Sequence, residues 1–461
     1  MMIPIPKHII DEELQQLGIP SPGHASIREI QRLIDRIEKK WPIKFIRMEM
    51  GVPGLKPSRL LLEREADAIL NQNVCGVYPS IEGVPALKEE IATFAKNFIG
   101  IDVSPKNCVP TVGAIHGSFA AALVACRRYS KRDTILFLDP GFPVHKQMVK
   151  MMGLKQASLD IGNYRGKKLR PMLEELLSLN KISAILYSNP NNPTWACLNE
   201  EELQIIGELA NRYDVVAIED FAYFAMDFRK DYSHPACPPF YPSIAHYSDN
   251  YVILLSSSKS FSYPGQRIGL LMISDSLAQK QYPDLLHFFP QTQFSQALIY
   301  GAIYASTAGT AHSAQHALAA LLHEINSGRY NFLEVARSEY GDKSRIIKNH
   351  FLTNGFEIVY AKDSDELIGD GFYFTISYPG FSGQELISKL LPYGISAISL
   401  ANTGATKLEG IRACVSLISK EDLPTLGPRL QQFHQDHHHI HRNHEIVKRS
   451  FNELSTSTKQ G

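Results

Sequence analysis

Between about residues 80 and 290 the chain alternates short apolar runs with longer stretches of helical periodicity. Thr134–Leu138, Ala184–Tyr187, Val215–Ile218, Val252–Leu255 and Ile268–Met272 are each bounded by polar or turn residues and are short enough to be buried strands. Strands that alternate with helices predict an α/β fold, a largely parallel sheet with helices on both faces. Beyond about residue 330 the pattern changes to a long helix and then to Phe356–Tyr360, Phe372–Ile376, Ile395–Leu400 and Ile411–Leu417, with one helix among them. This predicts a smaller α+β domain. Near the N-terminus, Ser26-Ile-Arg-Glu29 reads as a capping box that opens an amphipathic helix, with Ile27, Ile30, Leu33, Ile34 and Ile37 on one face and an end near Trp41-Pro42. No repeat of fixed period and no helix-turn-helix pattern is visible.

Composition narrows the classes. Lys plus Arg and Asp plus Glu number 47 each in 461 residues, so no net field draws the chain to nucleic acid or to an anionic membrane. The longest apolar run, Phe119–Cys126, is too short to span a bilayer, and the N-terminus turns acidic before a signal core forms. A cytoplasmic protein is expected. The six cysteines (Cys75, Cys108, Cys126, Cys197, Cys237 and Cys414) are scattered singly, which predicts reduced thiols. Six histidines crowd the tail from residue 434; without cysteines or patterned carboxylates beside them they read as a solvated tail, and no metal site is expected.

Candidate chemistry gathers where strands end, which is where open α/β sheets bind ligands. Lys259 follows Val252–Leu255 in Ser256-Ser-Ser-Lys259, and Arg267 comes eight residues later; hydroxyls and a guanidinium fork suit a phosphate monoester. Asp220, with Tyr223 three residues on, lies at the end of Val215–Ile218; a carboxylate there can pair with a protonated heterocyclic nitrogen. Asn189-Pro-Asn-Asn-Pro-Thr194 ends another and offers amide donors, Gly113-Ala-Ile-His-Gly117 opens a helix whose free N–H groups can hold an anion, and Phe142 in Asp139-Pro-Gly-Phe142 can face a ring. Each has an ordinary reading when taken singly: a solvated lysine, a helix cap, a plain turn, a buried aromatic.

Together, in order and spacing, the sites resemble the class I/II aminotransferases, the fold-type I pyridoxal-5′-phosphate (PLP) enzymes, from about Gly51 to Leu417. Asn-Pro-x-Asn-Pro-Thr, Asp-x-x-Tyr, and Ser-x-Ser-Lys with its arginine carry most of the likeness. The resemblance implies a seven-stranded, mostly parallel sheet in a large PLP-binding domain over 76–320 and a small domain over 321–432. Residues 1–75 would be an arm and helix joining the small domain, and 433–461 the histidine-rich tail. It implies that Lys259 carries the cofactor as a Schiff base, that Asp220 pairs with the pyridine nitrogen, and that Asn192 and Tyr223 hold the 3′-oxygen. Ser256, Ser258, Arg267 and the backbone at Ala114 and Ile115 would hold the phosphate, with Tyr78 reaching in from the second subunit of a homodimer. Phe142 would stack on the ring, and Arg412, beside the loop glycine Gly51, would clamp the substrate carboxylate, with Asn192 near the substrate. Lys259, Asp220 and Tyr223 are the implied catalytic residues, and transfer of an amino group between an L-amino acid and a 2-oxo acid is the implied reaction. A β-lyase, a decarboxylase, an acyl-transferring synthase and, further off, a PLP-binding sensor share the same scaffold. Two departures stand out. Trp195 replaces the glycine that usually follows Asn-Pro-Thr, and His145 replaces an aromatic residue three after Phe142; both are expected to bear on specificity.

Overall fold

The structure, a computed structural model, describes residues 4–457 and forms two compact units. The larger comprises Val52–Glu339 and Lys362–Gly369; the other comprises residues 1–51, 340–361 and 370–461. The ends of the larger unit's main segment, Val52 and Glu339, compare with the 76 and 320 expected for the large domain. Packing explains the extra residues. The helix Arg59–Leu70 lies on the helix His312–Asn326, and its buried Glu65 accepts hydrogen bonds from Tyr263 and Ser313. Phe332 packs at ring-centroid distances of 6.0, 5.8 and 5.4 Å from Phe94, Phe98 and Phe261. The late segment Lys362–Gly369 is tied in by Asp363, which accepts from Arg229 at 2.5 Å and from the Cys197 N–H at 2.9 Å.

Seven strands form the sheet of this unit: β1 Cys108–Thr111, β2 Thr134–Asp139, β3 Lys155–Asp160, β4 Ile182–Ser188, β5 Val216–Phe221, β6 Tyr251–Ser256 and β7 Gly269–Ile273, in spatial order β1-β7-β6-β5-β4-β2-β3. Only β7 runs antiparallel to its neighbours. Strands β4, β5 and β6 are buried along their whole length, which is why they read as continuous apolar runs rather than alternating ones. The periodicity misses β1 and β3. Both lie at the sheet edges; β1 carries Pro110, tolerated there because an edge strand needs fewer N–H donors, and β3 begins with the exposed Lys155 and Gln156.

Strand register gathers the polar segments. Ser188 pairs with Asp220, Asp220 with Leu254, and Gly269 with both Ser256 and Thr111. The last residues of β1, β4, β5 and β6 are thus brought to one edge of the sheet, and each leads into one of the motifs that carry candidate chemistry.

In the other unit the expected capping box is present at Ser26 and Glu29, and the helix Ile27–Lys40 buries Ile30, Leu33, Ile34 and Ile37. An antiparallel sheet joins β8 Glu357–Ile358, β9 Tyr373–Ser377, β10 Ile398–Ser399 and β11 Ile411–Cys414 in the order β10-β11-β9-β8. The single strand expected over Ile395–Leu400 is two. Ile395–Ser396 pairs with Ile46–Arg47 and Ile398–Ser399 with β11, so the chain changes sheets at Ala397. The histidine-rich segment belongs to the helix Leu423–Ser457; the side chains of His441 and His444 lie outside the described residues. Among the described residues no helix is long and apolar enough to cross a membrane.

Candidate active site

Beyond β4, the buried Asn191 organises the proline-rich loop. Its amide donates to the Pro140 carbonyl at 2.8 Å, and its oxygen accepts from the Thr194 N–H and hydroxyl at 3.1 and 2.8 Å. This joins the loop to the Asp139-Pro-Gly-Phe142 segment that follows β2. Asn192, buried, donates its N–H to Ser188 Oγ at 3.2 Å, and the Asn189 N–H reaches the Asp220 carbonyl at 3.1 Å.

A candidate anion cradle lies where β1 and β6 end and β7 begins. Gly113, at φ +73°, turns the chain into the helix Gly113–Ala125, whose first N–H groups have no partner within the helix. A side chain at Gly113 would strike the Arg267 guanidinium, and one at Gly269 would strike the backbone of Gly113 and Ala114; both glycines are needed for this close approach. Arg267 Nη1 is 3.4 Å from Ser258 Oγ, and the Ser258 N–H donates to Ser256 Oγ at 3.2 Å. Helix N-terminus, guanidinium and two hydroxyls thus converge on one place, a composition that holds a phosphate. Lys259 lies in the single helical turn Ser257–Ser260 directly after β6.

Asp220 on β5 is 5% exposed, and its Oδ1 has no hydrogen-bond partner. Its Oδ2 is 3.6 Å from His145 Nε2. Burial pushes the carboxyl up to about 7, opposed only in part by a backbone N–H from Ala222. Burial also takes His145 down to about 4, so the imidazole is neutral and does not supply the missing positive charge. Ser118 Oγ at 3.2 Å is the other neighbour of His145 Nε2. The sequence reading assigned His145 to specificity; the structure instead sets it against Asp220, a relation between residues distant in the chain that no local motif reveals. An unmet, buried carboxylate oxygen on the sheet edge that also bears the cradle suits an aromatic ring with a protonated nitrogen and a phosphate.

Tyr223 is buried, and the Trp195 ring meets it edge-on, with centroids 5.5 Å apart at 69°. Trp195 is fully buried at φ +66°, a left-handed turn that glycine adopts freely, in spite of its bulky side chain, a strain of about 1–2 kcal/mol. Phe142 is part-exposed and meets His145 edge-on at 5.4 Å. Tyr78 is 90% exposed.

In the smaller unit Arg412 sits in β11, buried, with Nη2 donating to the Glu49 carbonyl at 2.6 Å. Its guanidinium lies 4.5 Å from the centroid of the Tyr373 ring, and the Tyr373 hydroxyl fills the space that a side chain on Gly51 would need. Gly51 and Arg412 are therefore brought together by Tyr373, a residue the sequence reading did not single out. Only its place on β9, opposite the strand of Arg412, could have flagged it.

The family model described as aminotransferase class I and II matches residues 44–423. Among curated relatives, the aspartate aminotransferase of Pyrococcus horikoshii is 26% identical over 246 residues, 53% of this chain and 59% of that protein. The LL-diaminopimelate aminotransferase of Halothermothrix orenii is 28% identical over 244 residues, 52% and 60% of the two chains. The matched stretches thus span less than two thirds of these relatives' length. A single-mutant aspartate aminotransferase of Thermus thermophilus superposes with a TM-score of 0.71 at 17% identity, covering 89% of this chain and 96% of that one. That likeness shows the fold, which is the fold-type I arrangement implied by the sequence resemblance.

Asp220 has a measurable signature without any ligand. Its folded-state pKa of about 7 lies above the unfolded value of about 3.9, so the folded protein holds a proton that the unfolded chain has lost. The stability associated with this carboxyl is full below about pH 4, falls as pH rises to about 7, and is flat above. Asp220→Asn removes that slope. In cofactor-free protein the stability of the variant relative to wild type is expected to rise between pH 5 and pH 8, by at most about 3 kcal/mol; a difference that stays constant across that range in denaturant titrations contradicts the assignment.

Proposed function

This chain belongs to the aminotransferase class I and II family, and from that premise we propose that it is a PLP-dependent aminotransferase moving an amino group from an L-amino acid to a 2-oxo acid. The observation that carries the reading is the unmet Asp220 oxygen on the same sheet edge as the cradle and Lys259. In this reading Ser256, Ser258, Arg267 and the N–H groups of Ala114 and Ile115 hold the phosphate. Asp220, with its raised proton affinity, keeps the ring nitrogen protonated, Asn192 and Tyr223 hold the 3′-oxygen, and Phe142 covers the ring face.

Bound PLP supplies an electron sink for the pair left when a proton departs the substrate Cα. The chain's residues do the rest. Lys259 would hold the cofactor, and its free amine would take the Cα proton and hand it on, acting as base and then acid. Arg412 binds the substrate carboxylate through two parallel N–H donors, and the Tyr373 ring and the Glu49 carbonyl fix the guanidinium's orientation. A carboxylate held in one orientation would help make the Cα–H bond the labile one.

A homodimer is part of the proposal. Val77 and Tyr78, adjacent in the chain, are 60% and 90% exposed, apolar side chains better covered by a second copy than by water, and Tyr78 would then complete the partner's phosphate site.

A single turnover across an amino-acid panel is expected to yield one equivalent of 2-oxo acid with no second substrate present. Release of ammonia, carbon dioxide or a thiol instead overturns the assignment in favour of another reaction on the same scaffold. Lys259→Ala is expected to lose at least about 100-fold in turnover, and Arg412→Ala to raise KM about 10- to 100-fold with a smaller effect on kcat. For the dimer, sedimentation equilibrium of the cofactor-loaded protein is expected to give twice the chain mass; a monomer carrying one full equivalent of cofactor contradicts it.

A further inference from the structure

The loop after β4 contains a choice that cofactor binding does not require. Its left-handed turn is closed by backbone hydrogen bonds from the Trp195 N–H to the Asn191 carbonyl and from the Asn191 N–H to the Ala196 carbonyl, both 2.9 Å. The turn needs a residue at φ +66°, a conformation that glycine adopts freely and a bulky residue resists. Tryptophan stands there even so, with its ring wholly buried and edge-on to the Tyr223 ring. Asn192, three residues earlier and also buried, belongs to the same turn.

We infer that Trp195 is a positioning residue for Tyr223: its ring packs the phenol from the side, fixes its direction and keeps water from it. Loop and phenol then form one rigid pair, because the backbone that bears Asn192 also carries the ring that braces Tyr223. The inference rests on the aminotransferase reading, in which Tyr223 and Asn192 meet the cofactor's 3′-oxygen. Tyr223 would then donate its hydrogen bond to that oxygen most strongly when the oxygen is most negative. A braced phenol lowers the pH at which the nitrogen linking Lys259 to the cofactor loses its proton, and a loosened phenol raises it.

The test uses cofactor-loaded full-length protein and reads the absorbance of the bound cofactor against pH. Trp195→Gly is expected to shift the midpoint upward by about 0.5 to 1 unit, the scale of one aromatic edge contact expressed as a pKa change. Trp195→Leu, which fills much of the space without a ring, is expected to shift it in the same direction and keeps the test available if the glycine variant does not fold. In a Tyr223→Phe background neither substitution should move the midpoint further, because the phenol through which Trp195 acts is gone. An unchanged midpoint in both Trp195 variants, or a shift of equal size in the Tyr223→Phe background, overturns the inference and leaves Trp195 a space-filling residue. Reductive trapping with borohydride separates this from a failure of the underlying reading. If the wild type retains no cofactor covalently on the Lys259 peptide, the aminotransferase reading itself is wrong, whatever the midpoints show.

Discussion

A carboxylate taken out of water must find donors or a cation, or else bind a proton. Asp220 meets neither in full. It is held at the end of the central strand β5 with one oxygen unmet and, at the other, a histidine that burial keeps neutral. The cost is local, and the fold sustains it through a sheet whose inner strands are buried along their full length. On the proposed function, a ligand with a cationic nitrogen would relieve it, and the same contact would draw electrons toward that nitrogen during the reaction.

Under the proposed function, the neighbouring motifs of the larger unit would place a ring against that oxygen. Strand register brings Ser188, Asp220, Ser256 and Thr111 to one edge. Two glycines let Arg267 and a helix N-terminus close on a common anion position. Asn191 joins the loops after β2 and β4, so the segments bearing Phe142 and Asn192 are tied together. Such an arrangement depends on backbone fit as well as on side-chain identity: the cradle needs two glycines where side chains would collide.

Much of this was legible in the sequence because the ends of buried parallel strands are abrupt. An apolar run stops and a polar motif begins, so Asp220, Asn192, Lys259 and Arg267 announce themselves. Features that depend on contact across the fold were not. His145 read only as a departure bearing on specificity, since nothing near it in the chain points to Asp220. Trp195 was visible as a departure, but its ring's direction toward Tyr223 was not. Tyr373 carries no motif at all. Edge strands β1 and β3 lack the apolar continuity that betrays central ones, and the switch of sheets at Ala397 is invisible to periodicity because both short strands are apolar. The ends of the larger unit depend on which helix a segment packs against, as with Arg59–Leu70 on His312–Asn326, and hydropathy does not encode that.

The central claim is that Asp220 awaits a protonated ring nitrogen, and the 15N chemical shift of ring-labelled PLP bound to the protein tests it most directly. In the wild type at pH 8 the shift is expected to be that of a protonated pyridine, since the partner carboxylate holds the proton well above the free cofactor's own titration. In Asp220→Ala it is expected to move to the unprotonated value while the cofactor stays bound through the cradle. An unprotonated nitrogen in the wild type, or a protonated one in both proteins, contradicts the account.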